Sequence, residues 1–259
     1  MVQDLLSTAE NPFERNRMYR TDEAPVLGTR PEITPVGRPE QPEAAAESRR
    51  VGPSALGFAL KRVFDLASVV VILALFGWLM VIIAALVRMS GGRKVIYGHT
   101  RVGRHGRAFK CLKFRSMVSN SDEVLRNLLE TDPDARAQWE RDFKLKNDPR
   151  ITRIGRFIRK TSLDELPQLW NVVKGEMSIV GPRPVVQAEF EQYYGDAKEH
   201  YLSVPPGLTG LWQVSGRSDL DYAQRVELDR TYVDNSNVLY DFVIVMRTVK
   251  VMVARRGAY

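Results

Sequence analysis

The sequence is poor in the residues that build disulfides and metal sites. It has one cysteine, Cys111, and three histidines among 259 residues. A single cysteine excludes an internal disulfide and a cysteine-based zinc site, and the histidines lack the i, i+4 spacing of a helical metal site. One cysteine is also what a reducing compartment permits. We expect Cys111 to be a small buried side chain rather than a reactive thiol.

Negative charge is scarce in one long part of the chain. Residues 61–118 contain 11 basic residues and a single acid, Asp65, in a chain whose net charge is +7. Because the imbalance is local, it indicates an anionic surface or an anionic substrate for this part of the protein.

A sustained apolar period is missing from the first 55 residues. This segment holds 7 of the 14 prolines and mixes small, acidic and basic residues. We predict that residues 1–55 form a disordered tail. No apolar h-region lies near the N-terminus, so we do not expect a secretory signal.

Strongly apolar runs are also rare, and the one present spans residues 63–87, where Asp65 is the sole charge. Its 25 residues are enough to cross a bilayer. Basic residues flank both ends, and the positive-inside preference favours keeping both flanks in the cytoplasm. We predict a membrane-anchoring helix over residues 56–92 that enters one leaflet, bends near Gly77 and returns. A single-pass anchor is the alternative.

Two later segments have the pattern of amphipathic helices. In residues 151–160, apolar residues recur at helical spacing between arginines, and residues 239–253 are apolar but interrupted by Arg247 and Lys250. Neither segment is long or apolar enough to span a membrane. We predict that both lie on the membrane surface, with an ordinary solvated helix face as the alternative.

An adjacent acid pair, Asp164 and Glu165, follows a basic cluster. Two acids beside cations suit phosphate chemistry, in which one acid acts as nucleophile or base and the other holds a divalent cation. A structural alternative is a capping box from Ser162 to Glu165, or an N-cap at Asp164. Either way we expect a helix to begin here, with its positive end toward a bound anion. The basic residues are Arg153, Arg156, Arg159 and Lys160.

The segment between the apolar run and the acid pair predicts a short β-hairpin. Gly103 and Gly106 mark a turn, and the flanking residues alternate as strand residues do. Lys113 and Arg115 lie on the opposite face from Phe114, available to phosphate or simply to water. The expected core residues are Phe109, Leu112 and Phe114.

Two later loops carry arginines. Proline on either side of Arg183 fixes the local backbone and prepares this cation to bind an oxyanion, although a rigid surface turn is an equal alternative. The glycine-rich stretch 204–217 offers backbone amides and Arg217 to a phosphate. Its Trp212 has two interpretations, stacking on a base and ordinary packing.

Taken in order, these motifs closely resemble those of the bacterial sugar transferase family, the monotopic polyprenyl-phosphate phosphoglycosyl transferases. The resemblance covers residues 58–259 and is closest to the succinoglycan-type galactose-1-phosphate transferase that starts exopolysaccharide synthesis. The motifs are Lys61-Arg62-x-Phe64-Asp65, Arg101-Val102-Gly103, Lys113-Phe114-Arg115-Ser116-Met117, Leu163-Asp164-Glu165-Leu166-Pro167-Gln168, Gly181-Pro182-Arg183-Pro184 and Pro206-Gly207-Leu208-Thr209-Gly210.

The resemblance implies an α+β, mainly helical fold with a small β element. Residues 93–259 would form a catalytic domain on the cytoplasmic face of the inner membrane. It would transfer hexose 1-phosphate, galactose first and glucose second, from a UDP-sugar to undecaprenyl phosphate and release UMP. Downstream glycosyltransferases would be partners, and no nucleic acid is expected.

The resemblance also implies residue roles. Asp164 would be the nucleophile that forms an aspartyl phosphosugar, and Glu165 would ligate Mg²⁺. Arg159 and Arg183 would bind phosphate, because an anionic nucleophile that attacks an anionic phosphate needs nearby cations. The further phosphate-binding candidates are Lys113, Arg115 and Arg217.

One departure from the family pattern concerns the membrane helix. Family members usually carry proline at the helix break, where this sequence has Gly77-Trp78. A rival function from another class is a non-enzymatic basic membrane adaptor that binds anionic lipid or nucleic acid. An adaptor has no use for adjacent Asp164 and Glu165, and this distinguishes the two hypotheses.

Overall fold

The computed structural model describes residues 52–90, 94–142, 145–216 and 220–254. The predicted tail therefore lies almost wholly outside the described residues. The helices are α1 (Ala55–Met89), α2 (Ser121–Thr131), α3 (Pro133–Asp142), α4 (Arg153–Lys160), α5 (Gln168–Lys174), α6 (Gln187–Tyr193), α7 (Lys198–Ser203), α8 (Leu211–Ser215), α9 (Tyr222–Asp234) and α10 (Val238–Val253). The strands are β1 (Ile96–Val102), β2 (Ala108–Phe114), β3 (Ser178–Val180) and β4 (Gly207–Thr209), and short 3₁₀ turns occupy Arg104–Gly106, Leu163–Glu165 and Gly195–Ala197.

The described residues are mainly helical with two small sheets, which confirms the mainly helical α+β prediction. Strands β1 and β2 form the predicted antiparallel hairpin, and its register pairs Val102 with Ala108 next to the turn. The turn needs a left-handed backbone, with φ of 57° at His105 and 74° at Gly106. The second sheet pairs β3 with β4 in parallel, and the sequence did not predict it.

The hairpin core is partly as predicted. Phe109, Phe114 and Cys111 are buried, whereas Leu112 is half-buried. Burial raises the pKa of the Cys111 thiol, which keeps it protonated and confirms its packing role.

Helix α1 is 35 residues long, or about 52 Å, and is the one helix of the described residues that is long and apolar enough to cross a membrane. Only 11% of its most apolar window is buried within the protein, which does not fit the core helix of a soluble domain. The helical backbone continues through Gly77, and a side chain added there would meet nothing within 4 Å. A re-entrant path would therefore need a bend inside a continuous helix, and it stays a prediction.

One narrow face of α1 packs against the rest of the protein along nearly its whole length. Val69 in the first half joins the main core, which is built around α5, β3, α9 and α10. Ile83 and Val87 in the second half pack against Phe114 and Ile158. Both halves of the helix thus contact the same domain.

The lysine of the Lys61-Arg62 motif is buried rather than exposed at a membrane flank. Lys61 Nζ donates to the carbonyl oxygen of Val180 at 2.8 Å and forms an ion pair with Asp241 at 2.6 Å. The hydroxyl of Tyr232 donates to the second carboxylate oxygen of Asp241. This network joins α1 to β3, α9 and α10.

The next turns of α1 continue this attachment. Asp65 accepts hydrogen bonds from the hydroxyl of Ser178 at 2.8 Å and the backbone N–H of Ile179 at 2.9 Å. The Arg62 guanidinium donates to two carbonyl oxygens in the last turn of α5. Asp65 therefore fixes β3 and Arg62 fixes α5, the two elements that residues 175–177 connect.

The two predicted amphipathic helices differ in what their apolar faces contact. In α4, Ile158 is fully buried against α1, whereas Phe157 is 55% exposed. Helix α10 buries Asp241 and Ile244 but exposes a stripe of large apolar side chains, which is typical of a helix on a membrane surface. Contact with a membrane stays a prediction for both. The exposed stripe of α10 contains Leu239, Phe242, Met246, Val249 and Val253.

The buried ion pair of Lys61 gives a stability prediction. We expect Lys61→Met to lower the free energy of unfolding by about 3–5 kcal/mol, because it leaves Asp241 buried without its cation. Thermal unfolding in detergent measures the change, and Lys94→Met, at an exposed lysine, is the matched control. Equal stability of the two variants would contradict the ion pair's structural role.

Candidate active site

The acid pair lies on a tight turn rather than in a capping box. Residues Leu163–Glu165 form a 3₁₀ turn, and Ser162 before it has a left-handed backbone with φ of 57° and no side-chain cap. Helix α5 begins only at Gln168, with Pro167 at its N-cap position. A helix does start near the pair as expected, but the capping-box interpretation and the N-cap at Asp164 are wrong. A left-handed serine is an uncommon conformation, often found at functional sites.

The two acids have different surroundings. The Asp164 side chain is 11% exposed, and that of Glu165 is 33% exposed. Lys113 at the end of β2 lies over both, with Nζ 2.6 Å from Glu165 Oε1 and 3.8 Å from Asp164 Oδ2. The structure therefore brings three predicted site residues together and leaves Asp164 without a close ion pair.

Arg159 is held beside the acid pair by Ser116, which was not predicted to have a role. The Arg159 Nε donates to the Ser116 hydroxyl at 2.7 Å. Helix α4 can approach Ser116 because Gly155 has no side chain, and a Cβ there would lie 1.9 Å from the Ser116 carbonyl oxygen. The Lys113–Met117 motif was the signal that could have identified Ser116.

The electrostatics of Asp164 combine burial with nearby cations. Burial raises the pKa of Asp164, and the negative charge of Glu165 acts in the same direction. The cations Lys113 and Arg159 lower it, but the net pKa is above the usual value. A partly desolvated carboxylate surrounded by cations is well suited to approach an anionic phosphate.

Arg183 lies in the connection from β3 to α6, where its side chain is exposed while Gly181 and Pro182 are buried. The charge of Arg183 acts on the Cys111 thiol, as do the charges of Lys113 and Glu165.

Trp212 packs rather than forms an open stacking platform. It is 5% exposed, and the guanidinium groups of Arg183 and Arg225 lie 5.4 Å and 5.1 Å from its ring centroid. Cations near an indole ring are held by its π-electrons. The packing interpretation of Trp212 is therefore confirmed.

The remaining predicted phosphate residues are Arg115 and Arg217. The Arg115 side chain donates to the carbonyl oxygen of Val87 at 3.1 Å, at the C-terminal end of α1, rather than to either acid. The Ser90 hydroxyl also donates to this carbonyl at 2.9 Å, so the helix end is capped by two side chains. Arg217 lies outside the described residues.

Asn171 was also missed, and it fixes α5 against the hairpin. Its amide oxygen accepts from the Leu112 N–H at 3.0 Å, and its amide nitrogen donates to the Lys110 carbonyl at 2.8 Å. The residue is fully buried. A lone amide inside the apolar run of α5 was the available signal, since buried amides need partners.

The two carboxylates suit an Mg²⁺ site whose shell is completed by water and substrate phosphates. Among the described residues, no group of three or more His, Cys, Asp or Glu side chains is placed to hold a metal by itself. Mg²⁺ usually binds one or two carboxylates and completes its shell with water and substrate phosphates. Asp164 and the more exposed Glu165 fit that donor set.

Comparison with known proteins identifies the family. The profile of the bacterial sugar transferase family matches residues 56–255. The UDP-galactose-lipid carrier transferase of Erwinia amylovora is 60% identical over 200 residues, which are 77% of this chain and 42% of that protein. The undecaprenyl-phosphate galactose phosphotransferase of Salmonella typhimurium is 58% identical over the same shares.

A shorter relative matches over most of its length. The exopolysaccharide production protein ExoY of Rhizobium meliloti is 49% identical over 218 residues, which are 84% of this chain and 94% of that protein. The chain spans less than half the length of the Erwinia and Salmonella relatives. The family match covers every motif that carried the resemblance. The chain belongs to the bacterial sugar transferase family.

Proposed function

We propose that this protein transfers hexose 1-phosphate from a UDP-sugar to undecaprenyl phosphate, with release of UMP, and so starts exopolysaccharide synthesis. The names of the relatives support the lipid acceptor and the polymer, and two of them favour galactose over glucose. The observation that carries the proposal is the turn of Asp164 and Glu165 beneath Lys113 and Arg159.

The geometry favours Asp164 as the nucleophile. Lys113 contacts Glu165 at 2.6 Å but is 3.8 Å from Asp164, so the Asp164 oxygens are less engaged. In the first step an Asp164 oxygen bonds to the β-phosphorus and the bond to the UMP oxygen breaks. In the second step a phosphate oxygen of undecaprenyl phosphate attacks the same phosphorus and releases Asp164.

The cations have separate tasks in this mechanism. Lys113 and Arg159 offset the repulsion between the carboxylate and the diphosphate. Arg183, whose side chain is exposed in the connection from β3 to α6, binds the donor phosphates. Glu165 would hold Mg²⁺, which supplies positive charge to the diphosphate when bound.

A membrane location supports a lipid acceptor. The exposed surfaces of α1 and α10 are apolar, and the polyprenyl chain is soluble only in lipid. We infer that the protein lies at the cytoplasmic face of the inner membrane, where a UDP-sugar is available. The adaptor hypothesis explains the apolar surfaces equally well but gives no use to the acid pair.

The nucleophile assignment is tested by UMP release. With Mg²⁺, undecaprenyl phosphate and UDP-galactose, we expect Asp164→Asn to lower the rate at least about a hundredfold, because the amide cannot form the acyl phosphate that links Asp164 to the sugar phosphate. Asp196→Asn is the matched control, since Asp196 is an exposed acid in another three-residue 3₁₀ turn. Without acceptor, the wild type should release one UMP per protein and gain the mass of a hexose phosphate.

The outcomes of this assay separate the hypotheses. UDP-glucose in parallel decides the sugar, and a chelator tests the need for Mg²⁺. If folded wild-type protein releases no UMP from either donor, the adaptor hypothesis is favoured. UMP release without a mass gain would contradict the covalent intermediate.

The two arginines around the hairpin should respond differently to the same substitution. We expect Arg159→Gln to lower kcat/KM by about tenfold to a hundredfold with little change in thermal stability, because Arg159 acts on the reacting groups. Arg115→Gln should instead lower the free energy of unfolding by about 1–2 kcal/mol with kcat retained, because it loses the bond to the end of α1. If Arg115→Gln lowers kcat/KM at unchanged stability, Arg115 has the phosphate role that its motif implied.

A further inference from the structure

Trp212 brings together two arginines from distant parts of the chain. Arg183 belongs to the connection from β3 to α6, and Arg225 belongs to the first turn of α9. Their guanidinium carbons lie 5.4 Å and 5.1 Å from the centroid of the same indole ring. Two like charges held around one ring repel each other, and the π-electrons of the ring offset only part of that repulsion. The pair is therefore expected to have an anion as its partner.

The described residues supply no such partner. Within the described ranges, neither Arg183 nor Arg225 takes part in an ion pair. The Arg225 Nε and the Trp212 Nε1 are both buried there without a hydrogen-bond acceptor. Buried donors of a folded protein normally have a partner, so two unsatisfied N–H groups at one ring indicate a ligand.

The place of Arg225 on its helix points in the same direction. The N-terminal end of a helix carries partial positive charge, which favours acids rather than cations in the first turn. The cap of α9 is complete without Arg225, because Asp221 accepts from the Gln224 N–H at 2.7 Å and the Gln224 side chain accepts from the Asp221 N–H at 3.0 Å. Arg225 thus adds a charge to an end that is already positive, and an anion nearby would offset both.

Close backbone contacts hold Trp212 beside the turn of Arg183. The Gly181 N–H donates to the Thr209 carbonyl at 2.9 Å. A Cβ on Gly210 would lie 2.5 Å from the Gly181 carbonyl oxygen, so a side chain there would push α8 away from the turn. The indole ring is therefore a fixed support for one cation, and α9 supplies the second cation to the same support.

We propose that Arg225 is a further donor-binding residue, which acts with Arg183 as a pair that binds the diphosphate of the UDP-sugar. This inference rests on the proposed function, because it takes its ligand from the reaction assigned to Asp164. Each planar guanidinium can bind one phosphoryl group through two parallel hydrogen bonds. A diphosphate offers two adjacent phosphoryl groups, which match two guanidinium groups around one ring. The phosphate monoester of the lipid acceptor offers only one.

The test separates nucleotide binding from turnover. Equilibrium titration in detergent with Mg²⁺ gives the Kd for UDP, and UMP release gives kcat and the KM values of UDP-galactose and undecaprenyl phosphate. Arg225→Met removes the guanidinium but keeps a flexible unbranched side chain against the Trp212 ring. Arg225→Lys keeps the charge without the planar fork. Arg230→Met, at an exposed arginine of the same helix, is the matched control.

We expect Arg225→Met to raise the Kd for UDP and the donor KM about tenfold, because the charge-assisted hydrogen bonds to one phosphoryl group are lost. The values of kcat and of the acceptor KM should stay within about threefold of wild type. Arg225→Lys should raise the Kd for UDP only about threefold, and Arg230→Met should match wild type. If Arg225→Met does not fold, Arg225→Gln replaces it with the same expectation.

Two results would overturn the inference. An unchanged Kd for UDP in Arg225→Met, even with lower thermal stability, would show that Arg225 only packs against the ring. A higher acceptor KM with an unchanged Kd for UDP would assign the pair to the lipid phosphate instead. If the wild type releases no UMP at all, the proposed function fails, and the UDP titration still decides whether Arg225 binds a diphosphate.

Discussion

The attachment of α1 through buried polar groups is the constraint on which the rest of the structure depends. Lys61 and Asp65 interrupt a helix whose exposed surface is apolar, and neither charge is tolerated in hydrocarbon without a partner. Their partners are groups of β3 and α10, so the rest of the fold pairs the charges of α1 while α1 in turn holds β3 and α10 in place. Strand β3 leads directly into the turn of Arg183. Helix α1 is therefore part of the framework of the site rather than a tether to it.

The site itself is assembled from short pieces that are held by backbone contacts. The acids lie on a 3₁₀ turn after a left-handed Ser162, and Asn171 fixes the following helix to the hairpin that carries Lys113. Each cation thus comes from a different element. This arrangement spaces the like charges around the site, because no single segment carries the whole positive set. It also explains why the acid pair needs a rigid fold around it.

The sequence predicted the elements that depend on interactions between neighbouring residues. The turn glycines Gly103 and Gly106 and the alternation beside them were enough for the hairpin, and the apolar run was enough for α1. The parallel pairing of Ser178 with Gly207 was not predictable, since three-residue strands have no period and their partners are far apart in sequence. Arg115 shares a motif with Lys113, but its side chain forms a hydrogen bond with the C-terminal end of α1. A motif predicts residue types at a site, whereas packing decides which of them reach it.

The contacts of α1 also limit how this helix could lie in a membrane. From Lys61 to Val87 the helix rises about 39 Å, more than the hydrocarbon thickness of about 30 Å. Both ends of that stretch contact one domain, whose facing groups at Lys61 include carboxylate and carbonyl oxygens. A perpendicular crossing would place one set of these contacts on the far side of the bilayer, or would bury polar groups of the domain in lipid. A shallow or re-entrant helix keeps both ends on one side, and the basic residues at both flanks favour the same path.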